Sequence, residues 1–127
     1  MAAAIRLLLV EDDPINRQLV RAVLSRAPGP ALREAELEEA ATLAAARAAL
    51  GQRPPMVVML DVRLPDGNGL ELARELARTA DGPHVVVMSA SVLPGDRQAA
   101  LDAGCDAFLA KPFRPADLVD LLTTWVG

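Results

Sequence analysis

The chain has 127 residues, of which 52% are hydrophobic and only 2% aromatic, and it carries a formal net charge of −4. This length predicts a single domain over residues 1–127. The acidic balance lacks the basic footprint of a nucleic-acid binder, and the scarcity of aromatic side chains argues against a stacking platform for single strands. One cysteine excludes an internal disulfide and a cysteine-based zinc site, and one histidine excludes a histidine-rich metal cage.

No segment approaches the roughly 18 apolar residues that a membrane span needs. The apolar start of the chain is interrupted by Arg6, is followed at once by three acidic residues, and lacks the small-residue cleavage site of a signal peptide. We therefore expect a cytoplasmic protein without membrane insertion.

Four short apolar runs predict the strands of a sheet. They cover residues 7–10, 56–60, 85–88 and, more weakly, 107–110. None alternates between apolar and polar residues, which is typical of parallel strands buried on both faces beneath helices. Residues 31–37 form a possible further strand, and its charges predict a place at the edge of the sheet.

The first helix is predicted to begin at Asp13-Pro14, where Asp13 supplies an N-cap and proline suits the first turn. It is predicted to end at Pro28-Gly29-Pro30. Within it, Ile15, Leu19 and Val23 recur every four residues, which predicts an apolar stripe facing the sheet.

Four more helices are predicted further along the chain. An alanine-dominated stretch favours a helix over residues 38–50, and two others are predicted over residues 70–79 and 94–103, the latter with Gly104 as its C-cap. The last helix begins at Pro115 and shares one apolar face among Leu118, Leu121, Leu122 and Trp125.

Strands and helices therefore alternate five times. This pattern predicts an α/β fold with a doubly wound five-stranded parallel sheet in the order 2-1-3-4-5, flanked by helices in the flavodoxin-like manner. In such a sheet ligands bind outside the carboxyl ends of the strands. The residues directly after each apolar run are therefore the candidate site.

Polar side chains occupy these positions on four strands. They are Glu11, Asp12 and Asp13 after the first, Asp61 after the third, Ser89 after the fourth and Lys111 after the fifth. Clustered carboxylates suit Mg²⁺, and the chemistry that they suggest is phosphoryl transfer to a carboxylate. Asp61 would be the nucleophile that forms an acyl phosphate, Lys111 would bring a positive charge to one phosphoryl oxygen, and Ser89 would donate a hydrogen bond to another.

Each of these residues also has a purely structural interpretation. Acidic residues favour the start of a helix, and capping is the simplest role for Asp13. Asp61 suits a turn, Ser89 a loop, and Lys111 a solvated surface. The functional interpretation is favoured because all the signals fall at carboxyl ends of predicted strands in a consistent order.

Four segments, in order and at suitable spacing, resemble a response-regulator receiver domain, and together they extend over essentially the whole chain. They are LLLVEDDP at 7–14, MLDVRLPDGNG at 59–69, VVMSA at 86–90 and AFLAKPF at 107–113. The resemblance implies a signalling switch that assists its own phosphorylation and dephosphorylation rather than an enzyme. It also implies a histidine kinase or histidine phosphotransfer protein as the phosphoryl donor.

The resemblance assigns a role to each matching position. It implies Mg²⁺ as the cofactor, with Asp12 and Asp61 as direct ligands, Glu11 acting through water, and Arg63 giving its backbone carbonyl. It makes Asp61 the phosphoacceptor. The remaining roles are those of Lys111 as the contact to the phosphoryl group, Ser89 as the switch hydroxyl and Phe108 as the switch aromatic, which turns inward on activation. Residues 92–127 would then form the face that binds an effector or a second copy.

Three other functions remain open. A degenerate receiver would be an interaction module that is never phosphorylated, against which the intact set of site residues argues. A phosphatase with an aspartyl nucleophile often carries a second Asp two residues on, where this chain has Arg63. A flavodoxin-like carrier of FMN would need aromatic side chains around the flavin, and this chain has few.

Overall fold

A parallel sheet with helices on both faces organises the molecule. The computed structural model describes residues 4–90 and 93–126. In chain order the strands and helices are β1 (Arg6–Val10), α1 (Pro14–Ser25), α2 (Pro30–Arg33), β2 (Glu36–Ala40), α3 (Leu43–Gln52), β3 (Val57–Asp61), β4 (Arg63–Leu64), β5 (Gly67–Asn68), α4 (Gly69–Ala77), β6 (His84–Ser89), α5 (Pro94–Asp102), β7 (Ala107–Ala110) and α6 (Pro115–Val126). None of these helices is long and apolar enough to cross a membrane.

The five long strands pair in parallel in the order β2-β1-β3-β6-β7. Strands β4 and β5 form a separate two-residue antiparallel hairpin directly after β3. When the hairpin is left out of the numbering, the order is the predicted 2-1-3-4-5, so the predicted flavodoxin-like α/β fold is confirmed.

The continuous apolar runs bury both faces of the sheet. Along β1, Leu7 and Leu9 pack with α1 and α6, whereas Leu8 and Val10 pack with α3, α4 and α5. Alternate side chains of a strand point to opposite faces of the sheet. A strand that helices cover on both faces therefore has apolar residues at successive positions. The predicted face of α6 is confirmed, since its four apolar residues all lie against the α1 side of the core.

The predicted apolar stripe on α1 is wrong. Ile15 is 71% exposed and Leu19 is 41% exposed, whereas Val20, Val23 and Leu24 are buried. Steps of four residues rotate by about 40° beyond a full turn each time, so Ile15 and Leu19 drift away from the face that Val23 shares with the sheet. The N-cap prediction is confirmed, because the Asp13 side chain accepts a hydrogen bond from the amide of Ile15.

The second strand lies later in the chain than predicted. Residues 30–33 form the short helix α2, β2 covers Glu36–Ala40, and α3 begins only at Leu43. The predicted edge position is confirmed, since β2 pairs only with β1. Arginines that are distant in sequence neutralise the charges of this strand, with Arg6 on Glu38 at 2.9 Å and Arg21 on Glu39 at 2.6 Å. These long-range ion pairs leave no local pattern in the sequence.

Candidate functional site at the carboxyl edge of the sheet

The turn after β1 presents two carboxylates at the edge of the sheet. The Glu11 side chain is 1% exposed, whereas Asp12 is exposed. Arg17 of α1 holds this turn, because its guanidinium donates to the carbonyls of Glu11 and Asp12 at 2.9 and 3.0 Å. The same guanidinium contacts Glu39 of β2 at 3.3 Å, so the turn is tied to both the helix and the neighbouring strand.

Asp61 ends β3 beside this turn. Its side chain is 13% exposed, and it is followed by the β4–β5 hairpin. The amide of Arg63 donates to the Asp61 carboxylate at 3.4 Å, and the amide of Gly69 donates to the carbonyl of Val62 at 2.7 Å. Asn68 caps α4 by accepting from the amide of Leu70. The loop that carries Asp61 is therefore closed on itself and anchored at the start of α4.

Lys111 reaches into the cleft from the end of β7. Its ammonium lies 2.5 Å from Oε1 of Glu11 and 3.3 Å from Oδ2 of Asp61. Burial acts to lower the pKa of Lys111, but the hydrogen bond that its ammonium donates to Glu11 and the charges of Asp61 and Glu11 outweigh it, so the pKa is raised. The ammonium therefore stays charged and partly neutralises the acidic residues around it.

Ser89 lies at the end of β6, between Asp61 and Lys111 in the order of the sheet. Its side chain is buried, and its carbonyl accepts a hydrogen bond from the amide of Lys111 at 2.8 Å. Phe108 is half-buried in β7 and packs against the core on the side of α3, α4 and α5. Arg63 is exposed at the mouth of the cleft.

The residues at the carboxyl ends of β1, β3, β6 and β7 line one cleft of about 570 Å³. One carboxylate oxygen from each of Glu11, Asp12 and Asp61 lies within 4.8 Å of the others. All the polar residues predicted at the strand ends line this cleft; they are Glu11, Asp12, Asp13, Asp61, Ser89 and Lys111. Four carboxylates and two cations line the cleft, which leaves an excess of negative charge, and hard oxygen donors in this arrangement suit a divalent cation such as Mg²⁺.

Two residues of the site have no counterpart in the sequence predictions. Arg17 clamps the β1–α1 turn, and Asp66 caps α3 by accepting from the amides of Leu43 and Ala44 at 2.8 and 3.0 Å. In the sequence, the position of Arg17 one turn into the first helix is the feature from which its contact with the preceding turn could have been predicted. Asp66 is 23 residues from Leu43 in sequence, and no local pattern reveals that contact.

Gly69 provides a test of how tightly the Asp61 loop is packed. A Cβ at this position would overlap the backbone carbonyl of Asp61, whereas a Cβ at Gly51 in α3 would meet nothing within 4 Å. We expect Gly69→Ala to lower the free energy of unfolding by about 1–3 kcal/mol, because overpacking forces the backbone to move. Gly51→Ala should raise it by about 0.5–1 kcal/mol as a helix substitution. Urea denaturation of both variants measures the difference, and equal stabilities would contradict the close approach.

Solved structures define the class of protein. A CheY-like response-regulator receiver domain protein from Methanospirillum hungatei JF-1 aligns with a TM-score of 0.83 over 96% of this chain and 93% of that chain, at 24% identity. The receiver domain of the sensor histidine kinase PA1611 from Pseudomonas aeruginosa PAO1 aligns with a TM-score of 0.82 over 98% and 99% of the two chains, at 30% identity. That structure is described as having a magnesium ion coordinated in the active-site cleft.

The sequence comparisons agree with this class. The family model described as the response regulator receiver domain matches residues 7–123. The transcriptional regulatory protein AruR of Pseudomonas aeruginosa is 37% identical over 119 residues, which cover 94% of this chain and 48% of AruR. The KDP operon transcriptional regulatory protein KdpE of Escherichia coli K12 is 40% identical over 111 residues, covering 87% and 46%. The chain belongs to the response-regulator receiver family, and it spans about half the length of these two relatives.

Proposed function

We propose that Asp61 accepts a phosphoryl group from a histidine kinase or histidine phosphotransfer protein, in a reaction that requires Mg²⁺. Receiver domains of this family are switches in two-component signalling. The observation that supports Asp61 as the acceptor is its place in the cleft beside the carboxylates of Glu11 and Asp12 and the ammonium of Lys111. The loop that carries Asp61 is also closed by the hydrogen bond from the Gly69 amide to the Val62 carbonyl.

The transfer is a displacement at phosphorus. A carboxylate oxygen of Asp61 forms the new P–O bond while the P–N bond of the donor phosphohistidine breaks. The electron pair of that bond stays on the imidazole nitrogen, which takes up a proton, so histidine is regenerated and an acyl phosphate is left on Asp61. Lys111 already lies 3.3 Å from the Asp61 carboxylate, and its ammonium offsets the negative charge of the arriving phosphoryl oxygens.

The donor set of the cleft fits Mg²⁺. Glu11, Asp12 and Asp61 offer three carboxylates within one small region, and the backbone carbonyl of Arg63 completes the proposed ligands. A bound divalent cation would neutralise charge between the acidic residues and the phosphoryl group. The magnesium site named for the PA1611 receiver supports this assignment.

We propose that the phosphoryl group changes the surface formed by residues 92–127, of which 92 and 127 lie outside the described residues. Ser89 is drawn toward the phosphoryl group, and Phe108 turns inward from its half-buried position. Leu93 and Leu101 on this face are 67% and 44% exposed. Such side chains suit an effector or a second copy, and the group shifts the populations only through contacts that differ between the two states.

We propose further that residues 1–127 act as one receiver domain in the cytoplasm and that the domain assists both the gain and the loss of its phosphoryl group. The family match over residues 7–123 supports the domain assignment. The single cysteine fits a reducing compartment.

Intact-mass spectrometry after incubation with acetyl phosphate tests the function. We expect a gain of one phosphoryl mass with Mg²⁺ and none with excess EDTA, because three carboxylates repel an anionic donor unless a cation intervenes. Mg²⁺ binding is followed in parallel by NMR of the amides around the cleft. Trp125 is a poor probe for this purpose, because it stacks on His84 at the amino end of β6, whereas the cleft lies at the carboxyl ends of the strands. Failure of both measurements would leave the degenerate receiver as the better assignment.

A further inference from the structure

The loop that follows Asp61 is attached to a second helix besides the one that it starts. Residues 63–68 form the β4–β5 hairpin, with Arg63 paired to Asn68. Asp66 lies at the tip of this hairpin, and its two carboxylate oxygens accept from the amides of Leu43 and Ala44. These amides belong to the first turn of α3, which precedes β3 in the chain.

This contact divides the capping of α3 between two residues. The first amides of a helix have no partner within the helix. Asp66 satisfies those of Leu43 and Ala44, and Thr42 satisfies that of Ala45 at 3.0 Å. The two amides lower the pKa of Asp66, with the Leu43 amide contributing most, which indicates that they favour the charged carboxylate. Leu43 itself is buried in the core, so the helix end is a fixed point.

The hairpin connects this end of α3 to the proposed phosphorylation site. Its first residue, Arg63, donates its amide to the Asp61 carboxylate and carries the carbonyl proposed as a metal ligand. Its last residue, Asn68, caps α4, and the amide of Gly69 closes the loop onto the carbonyl of Val62. Without Asp66, the hairpin tip would lose its two hydrogen bonds to α3, while the contacts at its base would remain.

We propose that Asp66 is a positioning residue for the phosphorylation site, holding the Asp61–Arg63 segment in place by capping α3 from the hairpin tip. This inference rests on the proposed function, because the segment that it positions is the proposed acceptor and metal site. Asp66 does not touch the reacting atoms. It acts by limiting the motion of the Arg63 carbonyl relative to the carboxylates of the cleft.

The matched control is Thr42→Ala, compared with Asp66→Ala. Both variants lose a cap of the same helix end, so both should lower the melting temperature, by about 3–6 °C. Only Asp66→Ala should also weaken Mg²⁺ affinity, by about tenfold, at the low end of what the loss of a supporting partner costs a metal site. Asp66→Asn keeps one of the two oxygen acceptors and should restore the affinity in part.

A second measurement does not need the metal. Hydrogen exchange of the Gly69 amide reports the contact with Val62 that closes the loop. We expect faster exchange in Asp66→Ala than in Thr42→Ala. Wild-type Mg²⁺ affinity and unchanged exchange in Asp66→Ala, alongside a lowered melting temperature, would reduce Asp66 to a helix cap and overturn the proposal. A wild-type protein that neither binds Mg²⁺ nor accepts a phosphoryl group would instead overturn the proposed function, and the exchange rates would still decide whether the hairpin is clamped.

Discussion

Replacing Asp61 by asparagine is expected to abolish the gain of phosphoryl mass from acetyl phosphate, even at saturating Mg²⁺. The amide that replaces the carboxylate has almost the same size but no anionic oxygen to attack phosphorus. Glu11 does not substitute for it, since Glu11 is 1% exposed and ion-paired at 2.5 Å with Lys111. Intact-mass spectrometry of the variant, with and without Mg²⁺, gives the result directly.

The fold of the Asp61→Asn variant should survive. The cleft is lined by four carboxylates and the Lys111 ammonium lies among them, so removing one negative charge relieves repulsion as well as losing an ion pair. We expect a melting temperature equal to or above that of the wild type, which separates a chemical effect from unfolding. Retained phosphorylation in this variant would move the acceptor to another residue.

Asp13→Asn is the matched control for this experiment. Asp13 lines the same cleft, but its side chain caps α1 by accepting from the amide of Ile15 at 2.9 Å. Asparagine caps a helix as well as aspartate does, so phosphorylation and stability should both stay near the wild-type values. A loss as large as that of Asp61→Asn would mean that the total negative charge of the cleft matters, rather than one nucleophile.

The sequence predicts the site better than it predicts the helices and strands around it. Carboxyl ends of parallel strands meet at one edge, so the order of the strands alone brings Glu11, Asp61 and Lys111 together. Their distances of 2.5 and 3.3 Å confirm that convergence. The roles assigned to them stay predictions until the substitutions are measured.

The parts that escaped prediction depend on contacts between distant residues. Residues 38–40 of β2 are predicted as the start of a helix, because the sequence does not show that Arg6 and Arg21 neutralise Glu38 and Glu39. The cap that Asp66 places on α3 has the same origin, since a carboxylate in a turn usually serves its own turn. Local sequence patterns show hydrophobic periodicity and the residues that end helices and strands. They do not show which side chain from a distant part of the chain makes a contact.

Replacing Lys111 by methionine is the substitution with the largest expected effect on stability. The Glu11 side chain is 1% exposed, and the Lys111 ammonium is its cationic partner. Breaking a buried pair by removing one partner leaves an uncompensated charge, and we expect the free energy of unfolding to fall by about 2–4 kcal/mol at neutral pH. Urea denaturation measures it. Arg114→Met removes an 85% exposed cation nearby and should change the stability by less than about 0.5 kcal/mol.

The pH dependence of this interaction follows from the raised pKa of Lys111. A lysine whose pKa is higher in the folded than in the unfolded state stabilises the fold fully below the unfolded pKa, and that contribution is lost as the pH rises through the folded pKa. The stability difference between wild type and Lys111→Met should therefore be constant around neutral pH. On raising the pH from neutral, it should shrink above the ordinary lysine pKa of about 10.4. A difference that disappeared at neutral pH would show that the ammonium does not hold the acidic residues together.

Mg²⁺ should separate the structural role of Lys111 from its chemical role. Without the ammonium, the carboxylates of Glu11, Asp12 and Asp61 repel one another more strongly, so a divalent cation should raise the melting temperature of Lys111→Met by more than it raises that of the wild type. Phosphorylation should nevertheless stay slow at saturating Mg²⁺. The metal is held by the carboxylates, so the phosphoryl oxygen that Lys111 contacts in the wild type has no positive charge beside it in the variant. If the metal-saturated variant were phosphorylated at the wild-type rate, the role of Lys111 would be to stabilise the acidic cleft and not to assist phosphoryl transfer.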